Sequence, residues 1–148
     1  MCDALFEQFQ SGAGVILYRM GEGYARKLVE ALPRLGISPE EVLQGLKRLG
    51  FMAGWGKFQF LVNDDETVNC TVDNSAFVLR REGAGPTTCY FLAGILSAVG
   101  TVISGKRYIA RETHCSASGE ATCAFKLYPD PRESKAGGID LRNLKLLQ

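Results

Sequence analysis

Three cysteines and one glutamate in the C-terminal half carry the clearest chemistry in this 148-residue chain: Cys89, Glu112, Cys115 and Cys123. The last three are spaced Glu-x2-Cys-x7-Cys. Three thiolates and a carboxylate form a complete tetrahedral ligand set for Zn²⁺, because thiolate sulfur suits a borderline-soft ion and an oxygen can take the fourth corner. Four protein donors would leave no open position at the ion, which favours a structural role over hydrolysis. With three thiolates and a carboxylate, such a site is anionic and needs hydrogen-bond donors around it. Arg111, His114 and the backbone amides of the adjoining turn are the candidates. The residue types also admit two plainer readings. Cysteine serves as a small buried hydrophobe, with Glu112 a strand residue facing water, and Cys115 could pair with Cys123 in a disulfide across their hairpin.

The elements that must position these residues follow from periodicity. A helical pattern runs from Asp3 to Leu32, with Leu17, Met20, Tyr24, Leu28 and Ala31 recurring as an apolar stripe. Ser11-Gly12-Ala13-Gly14 divides it into a short and a longer helix, and Pro33 with Gly36 ends it. Ser38-Pro39-Glu40-Glu41 is a helix start, with Ser38 as cap, proline at the first position and acids on the dipole. That helix is expected to run to Leu49 and close at Gly50. Strands follow at 57–62 and 67–72, joined by Asn63-Asp64-Asp65-Glu66, with Val68, Cys70 and Val72 on one face. The stretch 73–85 is ambiguous. Pro86 opens an uncharged, buried helix ending near Ser104-Gly105, with Cys89 in its first turn, where the dipole favours thiolate. Two further strands, 107–113 and 121–128, flank Ser116-Ala117-Ser118-Gly119. Cys123 shares a face with Phe125 and Leu127. Residues three apart on a straight strand face opposite ways, so the chain must bend between Glu112 and Cys115. The resulting fold class is α+β: an antiparallel four-stranded sheet packed with N-terminal helices and one buried helix.

Composition bounds the rest. Net charge is +1, from 17 basic and 16 acidic residues, which gives no basic stripe for nucleic acid. Met1-Cys2-Asp3 lacks a basic n-region and Glu7 interrupts the apolar run, so the reading is a cytoplasmic protein without a signal peptide. Five cysteines are an odd number, and a reducing compartment disfavours disulfides. The uncharged stretch Gly83 to Gly105 holds Pro86 and five glycines, and reads as a core helix rather than a membrane span. Residues 1–128 form a single ligand-binding domain in this reading. Residues 129–148 are a linker-like tail ending in a short apolar segment with Leu141, Leu144, Leu146 and Leu147.

From Thr88 to Pro129 the chain resembles the 4-vinyl reductase domain family. The resemblance is carried by Cys89-Tyr90-Phe91-Leu92-Ala93-Gly94, by Glu112-Thr113-His114-Cys115-Ser116-Ala117-Ser118-Gly119 and by Cys123-Ala124-Phe125. Upstream, Gly12 to Gly21 is similar to the family's glycine-flanked Leu-Tyr-Arg helix. The four ligand candidates match the zinc ligands of phenol-sensing members in type and spacing. The resemblance implies a zinc-bound, small-molecule-binding sensor domain, similar in fold to subunits of a vesicle-tethering complex, and a homodimer formed through the N-terminal helices. It implies a binder rather than a catalyst. The tryptophan and histidine that hold phenol in relatives do not transfer, since the single His114 lies inside the metal motif.

The expected guest is a small apolar or aromatic molecule, in a pocket drawn from Phe58, Phe60, Tyr90, Phe91, Ile95, Tyr108 and Phe125. Plain core packing is the alternative for each of them. Two other functions compete: a zinc enzyme in which Glu112 dissociates to admit water, and an adaptor that buries no ligand. Gly100 to Arg107 nearly spells a P-loop, but Arg107 stands where Ser or Thr must hold magnesium, and a helix precedes it.

Overall fold

The computed structural model describes residues 8–9, 12–76 and 89–133. The expected first helix, most of the stretch 73–85, the residues from Pro86 to Thr88 and the apolar terminal segment lie largely or wholly outside these residues. The elements in chain order are α1 (Gly12–Val29), a 3-10 turn (Pro33–Leu35), α2 (Pro39–Met52), β1 (Lys57–Val62), β2 (Val68–Asp73), α3 (Tyr90–Ser104), β3 (Tyr108–His114), a 3-10 turn (Ser116–Ser118) and β4 (Cys123–Pro129). This is the expected α+β architecture. Every strand pair is antiparallel, and the sheet order is β1-β2-β4-β3.

The sheet is one-sided, as period-2 alternation requires. Phe58 and Phe60 of β1, Val68, Cys70 and Val72 of β2, Phe125 and Leu127 of β4, and Tyr108 and Ala110 of β3 are all buried. The register lines them in rows, Phe60 to Cys70 to Phe125 to Glu112 in one and Phe58 to Val72 to Cys123 in the next. Helix α3 lies on this face and is buried on nearly every side, from Leu92 through Gly100. Its uncharged sequence follows from that position, with the sheet beneath it and α1 and α2 against it.

The apolar stripe read along α1 is only partly the buried face. Leu17 is buried, but Met20, Tyr24 and Leu28 are exposed at 41%, 46% and 55%. The face against α3 is made of Ala13, Gly14, Leu17, Gly21, Glu22 and Ala25. Small residues are needed because the backbones nearly touch. A Cβ on Gly21 would collide with the carbonyl oxygen of Phe91, and one on Gly94 with that of Tyr18. A polar pin sits beside this crossing. Glu22, 5% exposed, accepts from Arg19 Nη1 at 2.8 Å, Arg107 Nη2 at 3.3 Å and Ser97 Oγ at 3.4 Å. Tyr18 Oη accepts from Ala110 N–H at 3.3 Å. One buried carboxylate thus joins α1, α3 and the start of β3, and its charge is compensated.

Helix α2 starts as read. Ser38 Oγ accepts from Glu41 N–H and Glu41 Oε2 accepts from Ser38 N–H, a reciprocal capping box. It ends later than read, at Met52. Gly50 stays inside the helix because its bare face seats the Phe58 ring, which a Cβ there would strike. Among the described residues no helix is long and apolar enough to cross a membrane.

The two-glycine seam gives the first test. Gly94→Ala places a methyl group against backbone, where no rotamer relieves it, and should cost about 2–3 kcal/mol. At about 3 °C per kcal/mol for this chain length, the melting temperature should fall by roughly 6–9 °C, read by thermal denaturation. Gly23, where a Cβ would meet nothing within 4 Å, should tolerate alanine without loss.

Candidate functional site

The four ligand candidates converge. One donor atom from each of Cys89, Glu112, Cys115 and Cys123 lies within 4.8 Å of all the others, and all four residues are buried. Cys89 is the N-cap of α3 rather than a residue of its first turn. Cys123 opens β4. Glu112 and Cys115 come from the end of β3 and the residue beyond it, and the expected bend is a β-bulge. Glu112 pairs with Phe125 and His114 with Ala124, so Thr113 is an extra residue on β3. The added residue reverses the alternation and brings Cys115 to the same interior as Glu112.

The hydrogen bonding shows how the cluster is held. Glu112 Oε2 accepts from Cys89 N–H at 2.9 Å, which ties the sheet to the start of α3. Cys89 Sγ and Cys123 Sγ are 3.7 Å apart, and Ser116 Oγ is 3.4 Å from Cys123 Sγ. Donation from the Cys89 thiol, with further donation from Ser116 backbone and hydroxyl, pulls Cys123 down to about 6 against the opposing effect of burial. Cys89 is pushed up, first by that shared proton, then by burial and by the Glu112 carboxylate. The dipole argument made Cys89 the primed sulfur. In this protonation pattern Cys123 is the thiolate, because the donors around it outweigh the helix end.

No disulfide joins Cys115 to Cys123. Cys70, the other described cysteine, lies apart from the cluster, and burial raises its thiol. The donor set fits a tetrahedral ion. A Zn–S bond of about 2.3 Å gives a tetrahedral edge of about 3.8 Å, close to the Cys89–Cys123 separation. Arg111 and His114 are exposed, and His114 Nδ1 lies 3.1 Å from Thr113 Oγ1. The donors to the cluster that the structure shows are instead Cys89 N–H and Ser116. The serine-rich turn was the available signal for the second.

A cavity of about 420 Å³ lies on the other side of α3. Its walls are Tyr24, Ala25, Leu28 and Val29 of α1, Val42, Gly45, Leu46 and Leu49 of α2, and Ile95 and Val99 of α3, with Trp55 and Glu41 also lining it. Of the seven residues read as pocket-forming, Ile95 lines this cavity. Phe58, Phe60, Tyr108 and Phe125 are buried in the core beneath α3, Tyr90 packs over Gly14, and Phe91 meets Tyr24 at a tilt with centroids 6.1 Å apart. The aromatic groups that do line the cavity, Tyr24 and Trp55, meet edge to face at 6.3 Å. The near P-loop is the end of α3 and the turn after it, where Lys106 pairs with Glu66 at 2.7 Å and Arg107 with Glu22.

A one-sided antiparallel sheet, a buried crossing helix and a thiolate–carboxylate cluster at their junction define a small sensory-type α+β domain. The chain carries a 4-vinyl reductase domain: residues 68–129 match the model of that family, which extends the resemblance upstream to β2. No curated protein matches the chain in sequence. Among solved structures, the fold is similar to that of the phenol-responsive sensory domain of the transcription activator PoxR with phenol, at TM-score 0.70 and 18% identity over 86% of this chain and 70% of that one. It is similar to a trafficking protein particle complex subunit 3 from Naegleria fowleri covalently bound to palmitic acid, at 0.66 and 12% over 86% and 87%. It is also similar to a vinyl-4-reductase family protein from Methanocaldococcus jannaschii, at 0.57 and 18% over 77% and 68%.

Gly45 tests whether the cavity is real space. A Cβ there meets nothing within 4 Å, and glycine costs a helix interior about 1 kcal/mol relative to alanine. Gly45→Ala should therefore raise the melting temperature by a few degrees. A drop would show that the position is already filled.

Proposed function

We propose that this chain is a zinc-stabilised binding domain for a small apolar molecule, in which one ion held by Cys89, Glu112, Cys115 and Cys123 fixes the start of α3 to the β3–β4 hairpin. The observation that carries the reading is the shared use of α3. The donor cluster is at its N-cap, and Ile95 and Val99, six and ten residues on, line the cavity. At 1.5 Å per residue these positions are about 9 and 15 Å along the helix. An ion at one end would hold rigid the wall against which a guest packs.

Three independent features support the parts. The donor types and spacing suit zinc, and four protein donors leave no open position for hydrolytic chemistry. The cavity exceeds the lower bound of about 300 Å³ for a ligand site, which favours a binder over an adaptor without a guest. The fold is similar to that of a phenol-responsive sensory domain, so handing a ligand-dependent shape change to a partner is the working role. Residues 1–128 would be the binding domain and 129–148 its tail. The outward face of α1, with Val15, Met20, Tyr24 and Leu28 exposed, is apolar enough to pair with a second copy. A reducing, cytoplasmic setting suits reduced thiolates as ligands.

Cys123→Ala separates this from inert packing. It should abolish stoichiometric zinc in native mass spectrometry and lower the melting temperature by roughly 10 °C or more, as expected for loss of a structural metal. Cys70→Ala, equally buried but outside the cluster, should keep its zinc and lose only a few degrees. The same spectra report the mass of the dimer. Equal losses in the two variants, with no metal in either parent or variant, would overturn the zinc reading.

A further inference from the structure

The cavity described above carries an asymmetry of charge. Among the described residues lining it, Glu41 is the one charged side chain; no Lys, Arg or His lines it. Glu41 sits in the first turn of α2. Its carboxylate is held below the usual range by hydrogen bonding from Ser38, backbone first and then side chain, so it is anionic at neutral pH.

A helix N-terminus ordinarily attracts anions, but the donors here are already engaged. Ser38 N–H goes to Glu41 Oε2 at 2.7 Å, Glu41 N–H to Ser38 Oγ at 3.3 Å, and Val42 N–H to the Ser38 carbonyl at 3.0 Å. Pro39 has no N–H to give. The end of α2 therefore presents a carboxylate to the cavity. The aromatic pair on the same lining acts in the same sense. Tyr24 and Trp55, edge to face at 6.3 Å, offer ring faces whose quadrupoles attract cations and repel anions.

We propose that Glu41 makes the cavity charge-selective, so that its guest is an apolar molecule bearing an ammonium or no charge, and apolar carboxylates are refused. This rests on the cavity being the ligand site. The guest's hydrocarbon body packs against Leu46, Ile95 and Val99, and its polar end lies toward Glu41, Tyr24 and Trp55.

A matched series on the whole chain tests it: cyclohexylmethylammonium, cyclohexylmethanol and cyclohexanecarboxylate, followed by calorimetry and by the emission of Trp55, the single tryptophan. The carboxylate should bind about tenfold or more weakly than the alcohol, and the ammonium at least as tightly as the alcohol, the scale expected for one charge pair near a protein surface. Glu41→Gln should bring the three dissociation constants within about threefold of each other, while Gly45→Phe, which fills the space, should abolish binding of all three. If none binds, or binding survives Gly45→Phe, the cavity is not the site and the ligand reading fails with this inference. If all bind and Gly45→Phe blocks them, but the carboxylate matches the alcohol or Glu41→Gln leaves the order unchanged, charge selection alone is overturned.

Discussion

Four donor atoms from three separate chain segments meet within 4.8 Å in a buried place, and the rest of the domain is arranged so that they can. Burying three sulfurs and a carboxylate together is unfavourable without something to balance them. In this chain one sulfur's proton is shared with another, one carboxylate oxygen is capped by Cys89 N–H, and Ser116 supports Cys123. A divalent cation satisfies the same set more completely, since it turns mutual repulsion between like-charged donors into common attraction to one centre. The cluster gathers the loop-to-helix junction before α3 and both strands of the second hairpin.

The second constraint is the crossing of α1 and α3. Gly21 and Gly94 let the helices meet at backbone distance, and Glu22 lies beside them among Ser97, Arg19 and Arg107. Such a crossing resists sliding, because each backbone lies in the other's groove. It also leaves the helices free to diverge beyond the crossing. Ala25, Gly45 and Ala53 are too small to fill the gap that opens there, and the result is the cavity. Tight packing at one point and open space farther along are two consequences of the same use of small residues.

Much of this was legible from residues alone. The cluster could be read because ligand chemistry depends on residue type and spacing, and the bulge at Thr113 because alternation forbids Glu112 and Cys115 from sharing one face of a straight strand. Sheet faces and the cap of α2 were legible for the same local reasons. The orientation of α1 was not. A search for large apolar residues at helical spacing finds Met20, Tyr24 and Leu28, whereas the buried side was chosen by small size at Gly21 and Ala25. The cavity escaped for a related reason. Aromatic residues suggest a pocket by type, yet Phe58, Phe60, Tyr108 and Phe125 fill volume, and a cavity exists where side chains are missing. No periodicity marks that absence.

X-ray absorption at the zinc edge on the folded, freshly purified chain addresses the central claim most directly. The account predicts one ion per chain whose inner shell contains three sulfurs at about 2.3 Å and one oxygen. Folded protein with no stoichiometric ion, or an ion whose shell lacks sulfur, would contradict it.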